Sequence, residues 1–279
     1  MHVSASPSAP VSELPQNGLT VIFDDVRLAF EEKVVLQGVS VELRRGETKV
    51  LLGVAGSGKS TILKLGLGLL KPDSGRIVVL GEEVTSMKEE DLFQLRRRVG
   101  MVFQESALFD SFTVEENVAY RLIEEHIPEE EILRRVTEAL RFVELEHTLK
   151  KFPSELSGGM RRRVAIARAI ITEPEVILYD SPTGGLDPIT STRIIELVVK
   201  QRDISKTSAL LVTHRLQDAF TMASSYFDLQ SNQMLPVTPD NPKDTNTSFL
   251  ILRDGKVIFD GTAMELACSD NEYIREFIS

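Results

Sequence analysis

Short apolar runs alternate with longer amphipathic stretches along this chain. Thr20-Val21-Ile22-Phe23, Val39 to Leu43, Lys49 to Leu52 and Arg76 to Leu80 read as strands. The last is entered through the turn Pro72-Asp73-Ser74-Gly75. From about Met87 to Ile171 the spacing turns mainly helical. Thr113-Val114-Glu115-Glu116 fits a capping box ahead of Val118 and Leu122. Pro128 followed by three glutamates predicts another helix start, with proline at the first position and acids on the positive end of the dipole. Val176 to Tyr179 and Ser208 to Val212 are apolar without alternation, which suits strands of a parallel sheet buried on both faces. Asp187-Pro188 opens a helix carrying Ile194, Ile195, Leu197 and Val198. Residues 229–248 hold Pro236, Pro239 and Pro242 with no period, so they predict a long loop. Phe249 to Leu252, Arg253-Asp254-Gly255 and Val257 to Phe259 then predict a hairpin. The end places Tyr273, Ile274, Phe277 and Ile278 on one helical face, to be docked on the chain's own core or on a neighbouring subunit.

Composition narrows the class. The chain has 279 residues, 32 Lys plus Arg and 42 Asp plus Glu, for a formal net charge of −10. That balance argues against a broad nucleic-acid footprint. A single cysteine, Cys268, excludes an intrachain disulfide and a thiolate zinc cluster, and reads as inert. No apolar run reaches the roughly 18 residues that a membrane span needs. Residues 1–18, with Pro7, Pro10 and Pro15 among small polar residues, read as a flexible tail rather than a signal peptide. The expectation is a cytoplasmic protein that reaches a membrane only through a partner.

Candidate chemistry begins at Gly53-Val54-Ala55-Gly56-Ser57-Gly58-Lys59-Ser60, followed by Thr61, which matches a phosphate-binding loop between a strand and a helix. Glycines let consecutive N–H groups face one anion, and the helix start adds positive potential. Lys59 would reach the β- and γ-phosphates and the Ser60 hydroxyl would meet Mg²⁺. Asp180 ends the run Val176 to Tyr179, where an Mg²⁺-organising acid belongs. Leu156-Ser157-Gly158-Gly159-Met160 is a second candidate anion site, or else a plain capped helix.

Leu156 to Met160 resembles the signature sequence of ABC transporter ATPases, and the resemblance extends over nearly all of residues 19–265. It implies a P-loop NTPase of the α/β class: a RecA-like parallel-sheet core, an antiparallel β subdomain and an inserted helical subdomain at about 88–160. Residues 229–248 would be an insert and 266–279 a helical tail. Two copies would pair head-to-tail, each signature (Ser157, Gly158, Gly159) capping the γ-phosphate held by the other. Gln104 in Val102-Phe103-Gln104-Glu105 is similar to the Q-loop glutamine that touches Mg²⁺ and the membrane subunit. His214, after Val212-Thr213, looks like the histidine that contacts the γ-phosphate, and Gly185-Leu186-Asp187 like the D-loop at the dimer seam. Phe30 falls where the family stacks a ring on adenine; its other reading is a core ring beside Leu28. Arg96 to Arg98 and Arg161 to Arg163 read as solvated helix faces.

One position departs from the family. Ser181 stands where a glutamate general base normally follows the strand-end Asp. A serine hydroxyl does not accept a proton near neutral pH. Binding of ATP and Mg²⁺ is therefore expected, with slow hydrolysis positioned by His214 and Gln104.

Within the family, Ser106 to Val118, Met160 and Asp187-Pro188-Ile189-Thr190 resemble the ATPases of Mla/MCE lipid-transport systems. That implies a homodimer on the cytoplasmic face of the inner (plasma) membrane, working with an integral membrane permease and an MCE-type substrate-binding protein, and no nucleic acid. Leu108, Phe109 and Phe112 would form a permease groove or the core of the helical subdomain. The alternative function is a nucleotide-gated regulatory module with vestigial hydrolysis.

Overall fold

The computed structural model describes residues 18–31 and 33–278. The tail expected over 1–18 therefore lies, apart from Gly18, outside the described residues.

Strands β1 (Leu19–Phe30) and β2 (Lys33–Arg44) form a long antiparallel pair. Strand β3 (Thr48–Leu52) runs into helix α1 (Lys59–Gly66), and β4 (Ser74–Val79) and β5 (Glu82–Glu83) follow. Next come α2 (Glu89–Leu95), β6 (Val99–Val102), α3 (Val114–Glu124), α4 (Glu129–Phe142) and α5 (Gly158–Ile170). Then β7 (Val176–Asp180), α6 (Pro188–Ser205), β8 (Ser208–Val212) and α7 (Leu216–Ser224) alternate. The chain ends with β9 (Ser225–Asp228), β10 (Gln233–Pro236), β11 (Thr247–Arg253), β12 (Lys256–Thr262), α8 (Ala263–Ala267) and α9 (Glu272–Ile278).

Six strands lie in the order β12-β11-β3-β8-β7-β6, parallel except for the edge strand β12. A separate antiparallel sheet has the order β2-β1-β4-β5. The apolar runs are explained by two cores, one on each face of the six-stranded sheet. Val50, Ile177, Tyr179, Leu211 and Ile251 join the core shared with α3 to α7. Their neighbours Leu51, Leu178, Leu210 and Leu250 join the core shared with α1 and the antiparallel sheet. Both faces are dry, so the alternation of a half-buried strand is absent.

Local chemistry sets the element ends. Thr113 and Glu116 form the expected capping box: Glu116 N–H donates to Thr113 Oγ1 at 3.2 Å and Thr113 N–H to Glu116 Oε2 at 2.7 Å. Pro128 sits one residue before α4, at its cap, rather than at its first position.

Three further expectations are corrected, and one open alternative is decided. Strand β6 lies inside the stretch read as mainly helical, and inside 88–160, where it pairs with β7 in the core sheet. Residues 229–248 are not all loop: β10 pairs with β9, and Thr238 bridges Asn241. The arginine tracts are not simply solvated. Arg162 is 4% exposed, Arg96 donates through Nε to Leu67 O beyond α1, and Arg98 bridges Glu82 and Glu175. The terminal apolar face docks at home: Ile274 is buried, Phe277 and Ile278 pack on the core beneath it, and Arg253 covers the Tyr273 ring at 3.9 Å.

Candidate functional site

Between β3 and α1, residues 53–58 turn tightly. Gly53 has φ +145°, and a Cβ there would stand 2.3 Å from Leu252 O, so only glycine fits. Lys59 folds over this loop, its Nζ donating to Gly53 O and Val54 O at 2.8 Å each and to Ser57 Oγ at 3.2 Å. Burial pulls the Lys59 ammonium below its ordinary range, and nearby Asp180 partly restores it. Ser60 Oγ donates to Asp180 Oδ1 at 2.8 Å. The strand-end acid and the first turn of α1 thus meet, as the two motifs require.

A cavity of about 520 Å³ opens over this loop. Ala55, Gly56, Gly58, Lys59, Ser60 and Thr61 form its floor, and Gln104, Ser181 and His214 one wall. Phe30 stands at its mouth with Lys33 and Val35. Phe30 is 47% exposed, so it is not a core ring. A larger cleft of about 760 Å³ lies at the opposite strand ends, beside Glu175, Thr207 and Ser208, and includes none of residues 53–61.

Ser181 follows β7 in the left-handed conformation, φ +46°. Its N–H donates to Val212 O at 2.9 Å and its carbonyl accepts from Gly184 N–H at 2.9 Å. Ser181 lines the cavity at this turn, and its side chain carries no carboxylate. His214 is held indirectly. Buried Asp218 accepts from Thr183 Oγ1 and, at 3.3 Å, from Thr213 Oγ1, while Arg215 N–H donates to Thr213 Oγ1 at 3.0 Å. Sequence reasoning did not single out Asp218, Lys33 or Val35; an acid four residues after a candidate histidine was the available signal for the first.

The signature segment is elsewhere. Ser157 caps α5, accepting from Met160 N–H at 3.3 Å, and is exposed. Neither it nor Gly158 and Gly159 lines the cavity. Gly159 is required inside the protomer too: a Cβ would stand 2.4 Å from Thr190 Cγ2. Asp187 caps α6 through Thr190 N–H at 3.0 Å, and that hydrogen-bonding to Thr190 holds its carboxyl below the usual range. One protomer thus owns an open phosphate cradle and presents a second helix start to solvent.

The ABC transporter family model matches residues 36–184, just over half of the chain. The chain belongs to the ABC transporter ATP-binding family. Members of this ABC family are ATPases that bind ATP, typically with Mg²⁺, and the cassettes work as dimers with integral membrane permeases. The cassette is 36% identical over 262 residues to the chloroplastic protein trigalactosyldiacylglycerol 3 of Arabidopsis thaliana, covering 91% of this chain and 71% of that protein. It is 40% identical over 181 residues to the methionine import ATP-binding protein MetN 2 of Bacillus cereus, covering 65% of this chain and 53% of that protein. The cassette thus spans about half the length of that methionine-import relative. Among solved structures it superposes on a dimeric bacterial ABC transporter cassette with a TM-score of 0.73 and 29% identity, over 87% of this chain and 98% of that one. It matches cbiO1 of Clostridium perfringens, part of the transporter complex cbiONQ, with a TM-score of 0.73 and 27% identity, over 93% and 94% of the two chains. Among the described residues no helix is long and apolar enough to cross a membrane.

Proposed function

We propose that this cassette powers a lipid transporter by clasping ATP between two copies, and that Ser181 makes its hydrolysis slow. The observation that carries the reading is the split site: the phosphate cradle and the Ser157 helix start lie apart within one protomer. Head-to-tail pairing brings each Ser157-Gly158-Gly159 onto the phosphate held by the other copy, with Asp187 at the seam. Lys59 and residues 53–58 hold the phosphates, and Phe30 stacks on the base. The Ser60 hydroxyl, the Asp180 carboxylate and the Gln104 amide carbonyl would supply oxygen ligands, which suit Mg²⁺ alongside phosphate oxygens. When bound, Mg²⁺ neutralises phosphate charge. His214 and Gln104 position the attacking water.

A lipid cargo is supported by the stretch 106–118, by Met160 and by residues 187–190, which resemble Mla/MCE ATPases. It is also supported by the Arabidopsis relative, whose name carries a galactolipid. That match runs along 91% of the chain, whereas the methionine-import matches cover 64% to 75% of it. Phe109, Phe112 and Tyr120 cluster with ring centroids 5.0–6.1 Å apart, and Phe109 and Tyr120 are exposed. Buried Asn117 pins their loop through the carbonyls of Phe109, Phe112 and Thr113. This aromatic patch docks a short permease helix at the cytoplasmic membrane face, with an MCE-type protein as the further partner. Affinity purification from native membranes, with lipid analysis of the eluate, tests the reading. A permease carrying bound lipid supports it. A permease that binds methionine and no lipid contradicts the cargo. A chain with no membrane partner, which binds ATP but never turns it over, favours the regulatory module that Ser181 permits.

A further inference from the structure

Helix α5 carries Ser157 at its cap and Arg162 in its second turn. The two face different worlds: Ser157 is exposed, Arg162 is 4% exposed. Arg162 donates to the carbonyls of Gln104, Ser181 (3.1 Å), Phe103 (3.4 Å) and Gly184 (3.4 Å). Every hydrogen bond it makes among the described residues goes to main-chain oxygen. Its Nε has no partner among the described residues. Burial disfavours the cation here, and the field of Asp180 favours it.

A buried guanidinium is costly unless it holds something in return. What it holds are two separate segments, residues 103–104 and 181–184, which bring Gln104 and Ser181 to the cavity. Phe103 O also accepts from Ser106 N–H, and Ser181 O from Gly184 N–H. The Gln104 and Gly184 carbonyls have no such second donor among the main-chain bonds, so Arg162 is what joins them. The segments are close in space as well, since a Cβ on Gly184 would stand 3.5 Å from both Gln104 Cγ and Ser181 Cβ. None of these contacts involves residues 53–61.

We infer that Arg162 is a positioning residue that links a protomer's own nucleotide wall to the helix start it presents to its mate. Ordering of Gln104, Ser181 and Gly184 around ATP is passed through one guanidinium to α5, and so to Ser157-Gly158-Gly159 at the other site. A planar fork with several donors is suited to four carbonyls; a lysine ammonium keeps the charge but not the geometry. The inference rests on the dimeric reading above.

The test uses the full chain with Mg²⁺, as wild type, Arg162→Lys and Arg162→Met. ADP binding is measured with a fluorescent analogue, ATP-driven dimerisation by sedimentation, and folding by thermal melting. Arg162→Met is expected to bind ADP within threefold of wild type yet to need at least tenfold more protein to dimerise in ATP, with Arg162→Lys in between. Dimerisation equal to wild type in Arg162→Met overturns the inference, as does an equal loss of ADP binding and dimerisation. Should Arg162→Met fail to fold, Arg162→Lys decides alone: a native melting curve with undiminished dimerisation overturns the link, and weakened dimerisation supports it. A wild-type chain that stays monomeric in ATP removes the dimeric reading and this coupling together.

Discussion

Ser60 Oγ donates to Asp180 Oδ1 at 2.8 Å, joining the start of α1 to the end of β7 across 120 residues of sequence. The bond ties the phosphate loop to the strand whose next residue is Ser181, so binding machinery and the missing base are neighbours.

That adjacency predicts separable effects. Ser181→Glu restores a carboxylate at the cavity wall. Loss of a general base typically costs about 10²–10⁴-fold in rate. Turnover of Ser181→Glu should therefore exceed wild type by at least about 100-fold, with the affinity for ATP little changed. Steady-state hydrolysis with a binding isotherm checks both; brisk wild-type turnover that the substitution does not raise removes Ser181 from the explanation.

Lys59 supplies the second prediction. Hydrogen bonds to charged groups contribute about 1.5–3 kcal/mol, so Lys59→Ala should weaken nucleotide binding on the order of 10–100-fold. The pH dependence follows from burial, which lowers the Lys59 pKa from 10.5. The ammonium is the phosphate-binding form, so affinity is full at neutral pH and falls as pH rises through the lowered value, before an ordinary lysine would titrate. For folding the sign is opposite. The unfolded chain holds the Lys59 proton more tightly, so this group's contribution to stability rises with pH up to 10.5 and is lost as pH falls through the lowered value. Calorimetric titrations from neutral to alkaline pH read the binding effect.

Gly159 and Thr190 define a steric prediction inside the protomer. A methyl on Gly159 meets Thr190 Cγ2 at 2.4 Å. Overpacking of this kind costs about 1–3 kcal/mol, so Gly159→Ala should lower the unfolding free energy by that much. Thr190→Ser removes the offending carbon and keeps the hydroxyl. The double variant should recover most of the loss, and a denaturant-melt cycle showing purely additive effects would place the clash elsewhere.

Asp218 is expected to matter beyond its distance from the cavity. Its carboxylate gathers Thr183, Thr213 and Arg215. Asp218→Asn should destabilise the fold by about 1.5–3 kcal/mol and slow turnover by loosening the backbone ahead of His214. Urea unfolding and hydrolysis rates measured side by side check the pairing of the two effects.

The legible and illegible parts of this chain differ in kind. Strands β3, β7 and β8 were readable because both their faces are buried, leaving unbroken apolar runs. The phosphate loop, Asp180 and the two helix starts at Ser157 and Asp187 were readable because local backbone chemistry dictates their residue types. Strand β6 was hidden by its length of four residues, directly after three arginines. Strand β10 was hidden by Pro236 at its end, a residue tolerated there because the pair β9–β10 forms a sheet of two edges. Arg162 and Asn117 are polar residues whose partners are set by packing, or lie far along the chain, so no spacing rule marks them, and Asp218 was marked only by its place four residues after His214. Arg162 read as part of a charged helix face until the fold showed four carbonyls converging on it.

Complementation between two damaged chains tests the shared pocket most directly. Lys59→Ala spoils the cradle and leaves the Ser157 helix start intact; Ser157→Arg does the reverse. In ATP and Mg²⁺ each variant alone should sediment as a monomer. Mixed, they should form a dimer holding one ATP, because only the Ser157→Arg cradle faces an intact Ser157. A mixture that stays monomeric, or a Ser157→Arg chain that dimerises in ATP as readily as wild type, would contradict the account.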